Sequence, residues 1–121
     1  MDTPIVHHAR VAWDAAVALT RAAAADEAVY FWTRNWVADL LGQKAALAMT
    51  ATRDRLTDPM SDPGNAQVEI GRWRAHLEGE LRVRPDIGTF LRDRVAQTSI
   101  LMSTGTLSQV PRTFEDRNPP A

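Results

Sequence analysis

The sequence predicts an all-α protein: a bundle of four or five helices followed by an extended or β-prone C-terminal arm. Apolar residues recur every three or four positions over most of the first 98 residues, the period of a helix with one buried face. Prolines and glycines fall between these periodic segments, where helices begin and end. From residue 99 the helical period stops, and small polar and β-branched residues surround Gly105. We therefore assign residues 1–98 to the bundle and 99–121 to the arm and tail.

The first half of the chain contains two long helical patterns. The first helix is predicted over residues 4–25, because Pro4 suits a first helical turn and Ala22–Ala25 are strong helix formers. The second pattern, over residues 28–57, carries a wide apolar stripe and is interrupted by Gly42. It is either one long helix or two helices that meet at Gly42. We favour two, since glycine costs about 1 kcal/mol inside a helix.

The second half begins with a loop over residues 58–65, where two Asp-Pro pairs disfavour helical backbone. A helix is then predicted over residues 66–83, with Glu69 on its outward face. Pro85 opens the last predicted helix, over residues 85–98. The inward stripe of the 66–83 helix consists of Ala66, Ile70, Trp73, Leu77 and Leu81.

Composition excludes several classes of function. The net charge of −1 provides no basic field for sequence-independent binding of nucleic acid or of a membrane surface. The chain has no cysteine, which excludes disulfides, thiolate nucleophiles, iron–sulfur clusters and cysteine-type zinc sites, and which fits a reducing cytoplasm. Charged residues interrupt the N-terminal apolar stretch, so we expect neither a signal peptide nor a membrane span. The predicted location is cytoplasmic.

The residues that carry catalysis or bind metals form no recognisable motif. His7 and His8 are adjacent, so on a helix their side chains point about 100° apart, and a pair of helical metal ligands needs a spacing of three or four. His76 precedes core Leu77 and is predicted to be a surface or partly buried side chain. No Glu-x-x-His, Gly-x-Ser-x-Gly or phosphate-binding loop is present. We therefore predict no catalytic residue, no metal and no cofactor, and favour a non-enzymatic function.

Aromatic residues provide the main candidate binding surface. The four tryptophans are predicted to pack in the core, with a partner-binding groove as the alternative. Tyr30, Phe31 and Trp32 are successive and cover most of a helix circumference, so at least one faces away from the core. Together with Trp36, they are predicted to contact a partner. The tryptophans are Trp13, Trp32, Trp36 and Trp73.

Two further segments extend this surface. Arg72 and Arg74 belong to an arginine cluster that neighbouring glutamates nearly neutralise, which predicts a solvated rim or, alternatively, a patch for an acidic partner or nucleic acid. Residues 99–110 are uncharged and lack proline. They are predicted either to pack over the bundle as an arm or to pair with another chain through Leu101 and Leu107.

A set of short motifs lies between Trp36 and Thr98: an aromatic helix that ends in Leu-x-Gly, a Pro/Asp loop, then Trp-Arg, spaced leucines and Leu-Arg. The residues are Leu40-Leu41-Gly42, Asp58-Pro59, Asp62-Pro63, Trp73-Arg74, Leu77, Leu81, Pro85 and Leu91-Arg92. This half of the chain resembles small helical actinobacterial proteins, including adaptor modules associated with effectors of bacterial conflict systems. Arg84 departs from their pattern, which usually carries a capping aspartate there. The resemblance implies an adaptor role and brings no catalytic residues.

These observations predict a non-enzymatic protein–protein interaction or adaptor module that self-associates, in bacterial defence or signalling, with no membrane partner. Two alternatives stay open. One is a nucleic-acid-linked regulator or antitoxin-like partner that uses the Arg72–Arg84 face. The other is a small ligand- or metal-binding helical enzyme that uses His7, His8 or His76. The predicted partner-binding residues are Tyr30, Phe31, Trp32, Trp36, Arg72, Arg74, Leu101 and Leu107.

Overall fold

The computed structural model describes residues 7–60, 62 and 64–104, and these form five α-helices joined by short connections. No strand occurs in these ranges. The predicted all-α class and the helical bundle are therefore confirmed. The helices are α1 (His8–Ala23), α2 (Glu27–Leu41), α3 (Gln43–Thr57), α4 (Asn65–Val83) and α5 (Gly88–Thr104), with a 3-10 turn at Pro85–Ile87 before α5.

Helix α1 is the central element, because it packs against each of the other four helices. Its inner side is built largely from alanine, whose small side chain lets neighbouring helices approach closely. Helix α4 runs antiparallel to α1, since the first turn of α1 lies beside the end of α4 and Thr20 lies beside the start of α4. The buried alanines of α1 are Ala12, Ala15, Ala16, Ala18, Ala22 and Ala23.

Large apolar side chains from all five helices fill the space around these alanines. Burial of this kind is the main favourable term in folding, at about 25 cal/mol per Å² of apolar surface. Trp36 and Trp73 belong to this core, as the predicted stripes require. The largest fully buried apolar residues are Leu19, Met49, Val37, Leu77, Leu81, Leu91 and Leu101.

Arg53 on α3 closes the end of α1. Its Nη1 donates to the carbonyl oxygens of Ala23, at 2.9 Å, and Ala25, at 2.8 Å. Carbonyl groups at the end of a helix lack partners within the helix and carry the negative end of the helix dipole, so a guanidinium there is stabilising. The same guanidinium lies 4.5 Å from the centre of the Tyr30 ring, which ties α3 to both α1 and α2.

Gly42 separates α2 from α3, as the favoured interpretation of residues 28–57 predicted. Its φ of 101° and ψ of 169° lie in a region that is essentially restricted to glycine. The Gly42 N–H donates to the Ala38 carbonyl at 3.0 Å, and the Gly42 carbonyl accepts from Ala46 N–H at 3.2 Å. One residue therefore ends α2 and starts α3.

Replacing Gly42 with alanine should lower the free energy of unfolding by about 1–3 kcal/mol. The added methyl group meets no atom within 4 Å, so the cost arises from the backbone conformation and not from a clash. Gly79 provides the matched control, because it lies inside α4 with no atom within 4 Å of an added Cβ, and Gly79→Ala should be neutral or stabilising. Urea denaturation measures both. Similar stability of the two variants would contradict the prediction.

Several predicted boundaries differ from the structure. Helix α1 covers His8–Ala23 and not residues 4–25, of which 4–6 lie outside the described residues. Helix α5 continues past the predicted end at residue 98 to Thr104, so residues 99–104 of the predicted arm are helical, and residues 105–121 lie outside the described residues. Leu101 is fully buried and Met102 packs against the core, and this tertiary burial stabilises a helix that the local pattern does not predict.

Three side chains lie on the opposite side of their helices from the prediction. Trp13 was expected in the core, yet it is 43% exposed. Ala66 was expected to face inward, yet it is exposed. Glu69 was expected to face outward, yet it is 2% exposed. In each case a helix was predicted there, but the side chains that cover one face of that helix come from distant segments of the chain.

Candidate functional site

The outward face of α1 combines an exposed tryptophan with charged side chains, and we call it the α1 stripe. Its residues recur every three or four positions and fall within an arc of about 100° on the helix. All are exposed except Val17, which is partly buried. The α1 stripe consists of Arg10, Trp13, Asp14, Val17, Arg21 and Ala24.

Two grooves flank the α1 stripe and share Trp13, Val17 and Arg21 as common lining. The first groove lies between α1 and α5 and has a volume of about 580 Å³. The second lies between α1 and α4 and has a volume of about 690 Å³. The apolar lining of the first includes Val11, Ala18, Val95 and Met102, and that of the second includes Leu56, Ala66 and Ile70.

Charged side chains border these apolar surfaces. Arg10 Nε lies 3.3 Å from Asp14 Oδ2, an exposed pair one helical turn apart. Arg21 and Arg92 both line the first groove. The guanidinium of Arg74 on α4 lies 6.0 Å from the centre of the Trp13 ring, within range of a cation–π attraction. One side of the Trp13 indole therefore lies near Arg74 of α4, and 43% of the residue is exposed to water.

Thr20 forms part of the lining of the second groove. It is 2% exposed, and its Oγ1 has no hydrogen-bond partner among the residues that the structure describes. A buried hydroxyl without a partner costs about 1–3 kcal/mol relative to one that is bonded. Its neighbour Arg21 is exposed on the α1 stripe.

A buried polar cluster joins α3 to α4 behind the second groove. Trp73 Nε1 donates to Thr52 Oγ1 at 2.9 Å, and the Thr52 hydroxyl lies 3.1 Å from Glu69 Oε1, to which it donates. Arg55 donates to both carboxylate oxygens of Glu69, through Nε at 2.6 Å and Nη2 at 2.9 Å. Arg72 lies 3.8 Å from the same carboxylate. Glu69 thus joins α4 to α3 through its hydrogen bonds, and we assign it no role in ligand binding.

The Arg55 hydrogen bonds lower the pKa of Glu69 below its ordinary value, and they outweigh the burial that would raise it. The folded state therefore favours the charged carboxylate. The stabilisation is complete above the ordinary pKa and is lost as the pH falls through the lowered value.

We expect the wild-type protein to lose more unfolding free energy than Glu69→Gln when the pH falls from neutral to about 3. Glutamine cannot be protonated in this range, so the variant lacks the contribution that titrates in the wild type. Chemical denaturation at a series of pH values measures the difference. Parallel pH profiles for the two proteins would show that Glu69 titrates alike in the folded and unfolded states.

Three of the predicted partner-binding residues lie in the core and not on the surface. Tyr30 is buried, and its hydroxyl donates to Thr50 Oγ1 at 2.9 Å. Trp36 is buried, and its Nε1 donates to Thr98 Oγ1 at 3.0 Å. Leu101 is fully buried. All three were predicted to contact a partner, but within the protomer each is covered by side chains of other helices.

The other predicted residues are distributed over separate parts of the molecule. Phe31 is 52% exposed on α2, with its ring centre 4.9 Å from that of Tyr30. Trp32 is partly buried against the core. Arg72 lies beside Glu69, whereas Arg74 adjoins the α1 stripe through Trp13. Leu107 lies outside the described residues.

The alternative sites are also placed by the structure. Three arginines of the predicted basic face have glutamate neighbours: Arg72–Glu69 at 3.8 Å, Arg74–Glu78 at 3.5 Å and Arg84–Glu80 at 3.0 Å. His7 lines the first groove, His8 lies in a separate small pocket beside the end of α4, and the His76 and Trp73 rings form a T-shaped pair with their centres 5.6 Å apart. Within the described part of the chain, no group of three His, Asp or Glu side chains is placed to hold a metal ion.

The α1 stripe was not recognised from the sequence, although a signal for it exists. Arg10, Asp14 and Arg21 are four and seven positions apart and therefore share one face of a helix, with Trp13 at its edge. Charged residues on a face indicate that the face is exposed more than buried.

Within residues 7–60, 62 and 64–104, no helix is long and apolar enough to cross a membrane. Comparison of the chain with protein-family models, with curated proteins and with solved structures found no match.

Proposed function

We propose that this protein is a non-enzymatic protein-interaction module that binds its partner through the α1 stripe. The observation that carries the proposal is the exposure of Trp13, at 43%, between two apolar grooves. Tryptophan and arginine are the residues most enriched at the energetic centre of protein interfaces. An apolar centre with a charged rim is also the usual composition of such a surface.

The shape of the surface favours a helical partner. The α1 stripe and its two grooves present ridges and depressions at helical spacing, and helices pack by placing the ridges of one into the grooves of another. Arg10, Asp14 and Arg21 border the apolar area and would orient the partner. The proposed role is that of an adaptor in the bacterial cytoplasm, a reducing compartment that suits a chain without cysteine.

Affinity purification with quantitative mass spectrometry tests the proposal in the cells from which the chain derives. Tagged wild-type protein should retain partner chains, including untagged copies of itself, and Trp13→Ala should lose them at unchanged expression. Phe31→Ala is the matched control, since Phe31 is an exposed aromatic residue on another helix. Retention of the same chains by Trp13→Ala, or their loss in Phe31→Ala alone, would contradict the proposed surface.

A further inference from the structure

We propose that the partner of the α1 stripe is the α1 stripe of a second copy, packed antiparallel about a two-fold axis that passes near Val17. This inference rests on the proposed function and names its partner. A two-fold interface brings the same surface of both subunits together, so the surface must be complementary to itself. The α1 stripe meets this condition in its charge and in the size of its side chains.

Charge complementarity follows from the spacing. When Val17 faces the symmetry axis in an antiparallel pair, residues three or four positions before it lie opposite residues three or four positions after it. Asp14 is three positions before Val17 and Arg21 is four positions after it, so Asp14 lies within one residue's rise, about 1.5 Å, of the level of Arg21 of the partner subunit, and symmetry repeats this pair. A parallel arrangement would instead place Asp14 beside the partner's Asp14 and Arg21 beside the partner's Arg21, which like-charge repulsion disfavours.

The side chains along the stripe also allow close packing. Val17 at the centre is small, and Ala24 at one end leaves room opposite Arg10. Contacting helices lie about 8–10 Å apart when their side chains are of this size. Trp13 lies at the other edge of the α1 stripe from Asp14 and Arg21, so it packs against the partner subunit beside this charge pair and does not compete with it. The apolar area of the two grooves is covered at the same time.

Reversal of single charges tests the alignment. Asp14→Arg carries arginine at both positions of the pair, and Arg21→Asp carries aspartate at both, so each variant alone brings like charges together. We expect each to dimerise at least about tenfold more weakly than the wild type. An equimolar mixture of the two variants restores opposite charges at both pairs and should form a heterodimer with an affinity near that of the wild type.

Sedimentation equilibrium and native mass spectrometry measure the species. The control pair is Asp39→Arg and Arg82→Asp, which reverses exposed charges on α2 and α4 and should leave the wild-type dimer unchanged. Circular dichroism of every variant confirms that the helices are intact. Dimers of unaltered affinity in both single variants would overturn the proposal, as would a mixture that stays monomeric.

A wild-type protein that is monomeric at all concentrations would also overturn the dimer. The proposed function would then be decided by the affinity purification, because Trp13→Ala should lose any partner that binds the α1 stripe. If charge reversal leaves the dimer unchanged but Trp13→Ala still loses the retained proteins, the antiparallel dimer is contradicted and the proposed function is supported.

Discussion

Replacing Arg55 with methionine should lower the free energy of unfolding by about 3–5 kcal/mol. Methionine keeps much of the aliphatic stem but removes the two hydrogen bonds that Arg55 donates to Glu69. The carboxylate, which is 2% exposed in the wild-type protein, then has only the Thr52 hydroxyl and the more distant Arg72 as polar neighbours among the contacts described. A buried charge without its partner is strongly destabilising.

Replacing Glu69 in place of Arg55 should lower the free energy of unfolding by a smaller amount. In Glu69→Gln the guanidinium of Arg55 loses its counter-charge, but its side chain is 42% exposed and water can solvate it. We expect a loss of about 1–2 kcal/mol, the scale of an ordinary hydrogen bond. The double variant should therefore be more stable than Arg55→Met alone, because removing the buried charge also removes the penalty.

Urea denaturation of the two single variants and the double variant gives this thermodynamic cycle. Arg82→Met is the matched control, since Arg82 is exposed on α4 and its replacement should change the unfolding free energy by less than about 0.5 kcal/mol. Equal losses in Arg55→Met and Glu69→Gln, with no recovery in the double variant, would show that the buried carboxylate does not depend on Arg55.

Trp36→Ala should lower the free energy of unfolding by about 3–5 kcal/mol. The indole is buried between α2 and α5, so its removal leaves a cavity. It also removes the hydrogen bond from Nε1 to Thr98 Oγ1, which joins residues 62 positions apart in the sequence. Thr98→Val tests this bond separately, and it should cost about 1–3 kcal/mol by leaving the indole N–H without an acceptor.

Trp13→Ala is the matched comparison for Trp36→Ala. Its indole lies on the surface, so at a concentration where the chain is monomeric we expect a loss of about 1 kcal/mol or less. Thermal and chemical denaturation distinguish the two tryptophans. Comparable losses in both variants would place Trp13 in the core and remove the basis of the α1 stripe.

The helices and their connections were largely predictable from the sequence. Gly42 marks the division between α2 and α3 because its backbone conformation excludes other residues. The Asp-Pro pairs and Pro85 indicate breaks because proline restricts the backbone of its neighbours locally. Such signals act within a few residues and need no knowledge of the fold, which is why α4 was placed within one residue of its observed start.

The candidate site was far less predictable. The sequence-based surface combined Tyr30, Trp36 and Leu101 with exposed residues, and burial removes these three from it. Hydrophobic periodicity identifies the face of a helix that is buried against something, but a helix at the centre of a bundle has several covered faces and one open edge. Which edge stays open depends on where the other helices pack.

By itself, the sequence determined that this protein is a helical bundle, where most of its helices break, and that it lacks cysteine chemistry. Only the tertiary structure decided that Trp13 faces water, that Glu69 is buried and paired with Arg55, and that α5 extends to Thr104. The physical reason is the range of the interactions. Helix formation and termination depend on neighbours along the chain, whereas burial and hydrogen bonding depend on residues that folding brings together from distant positions.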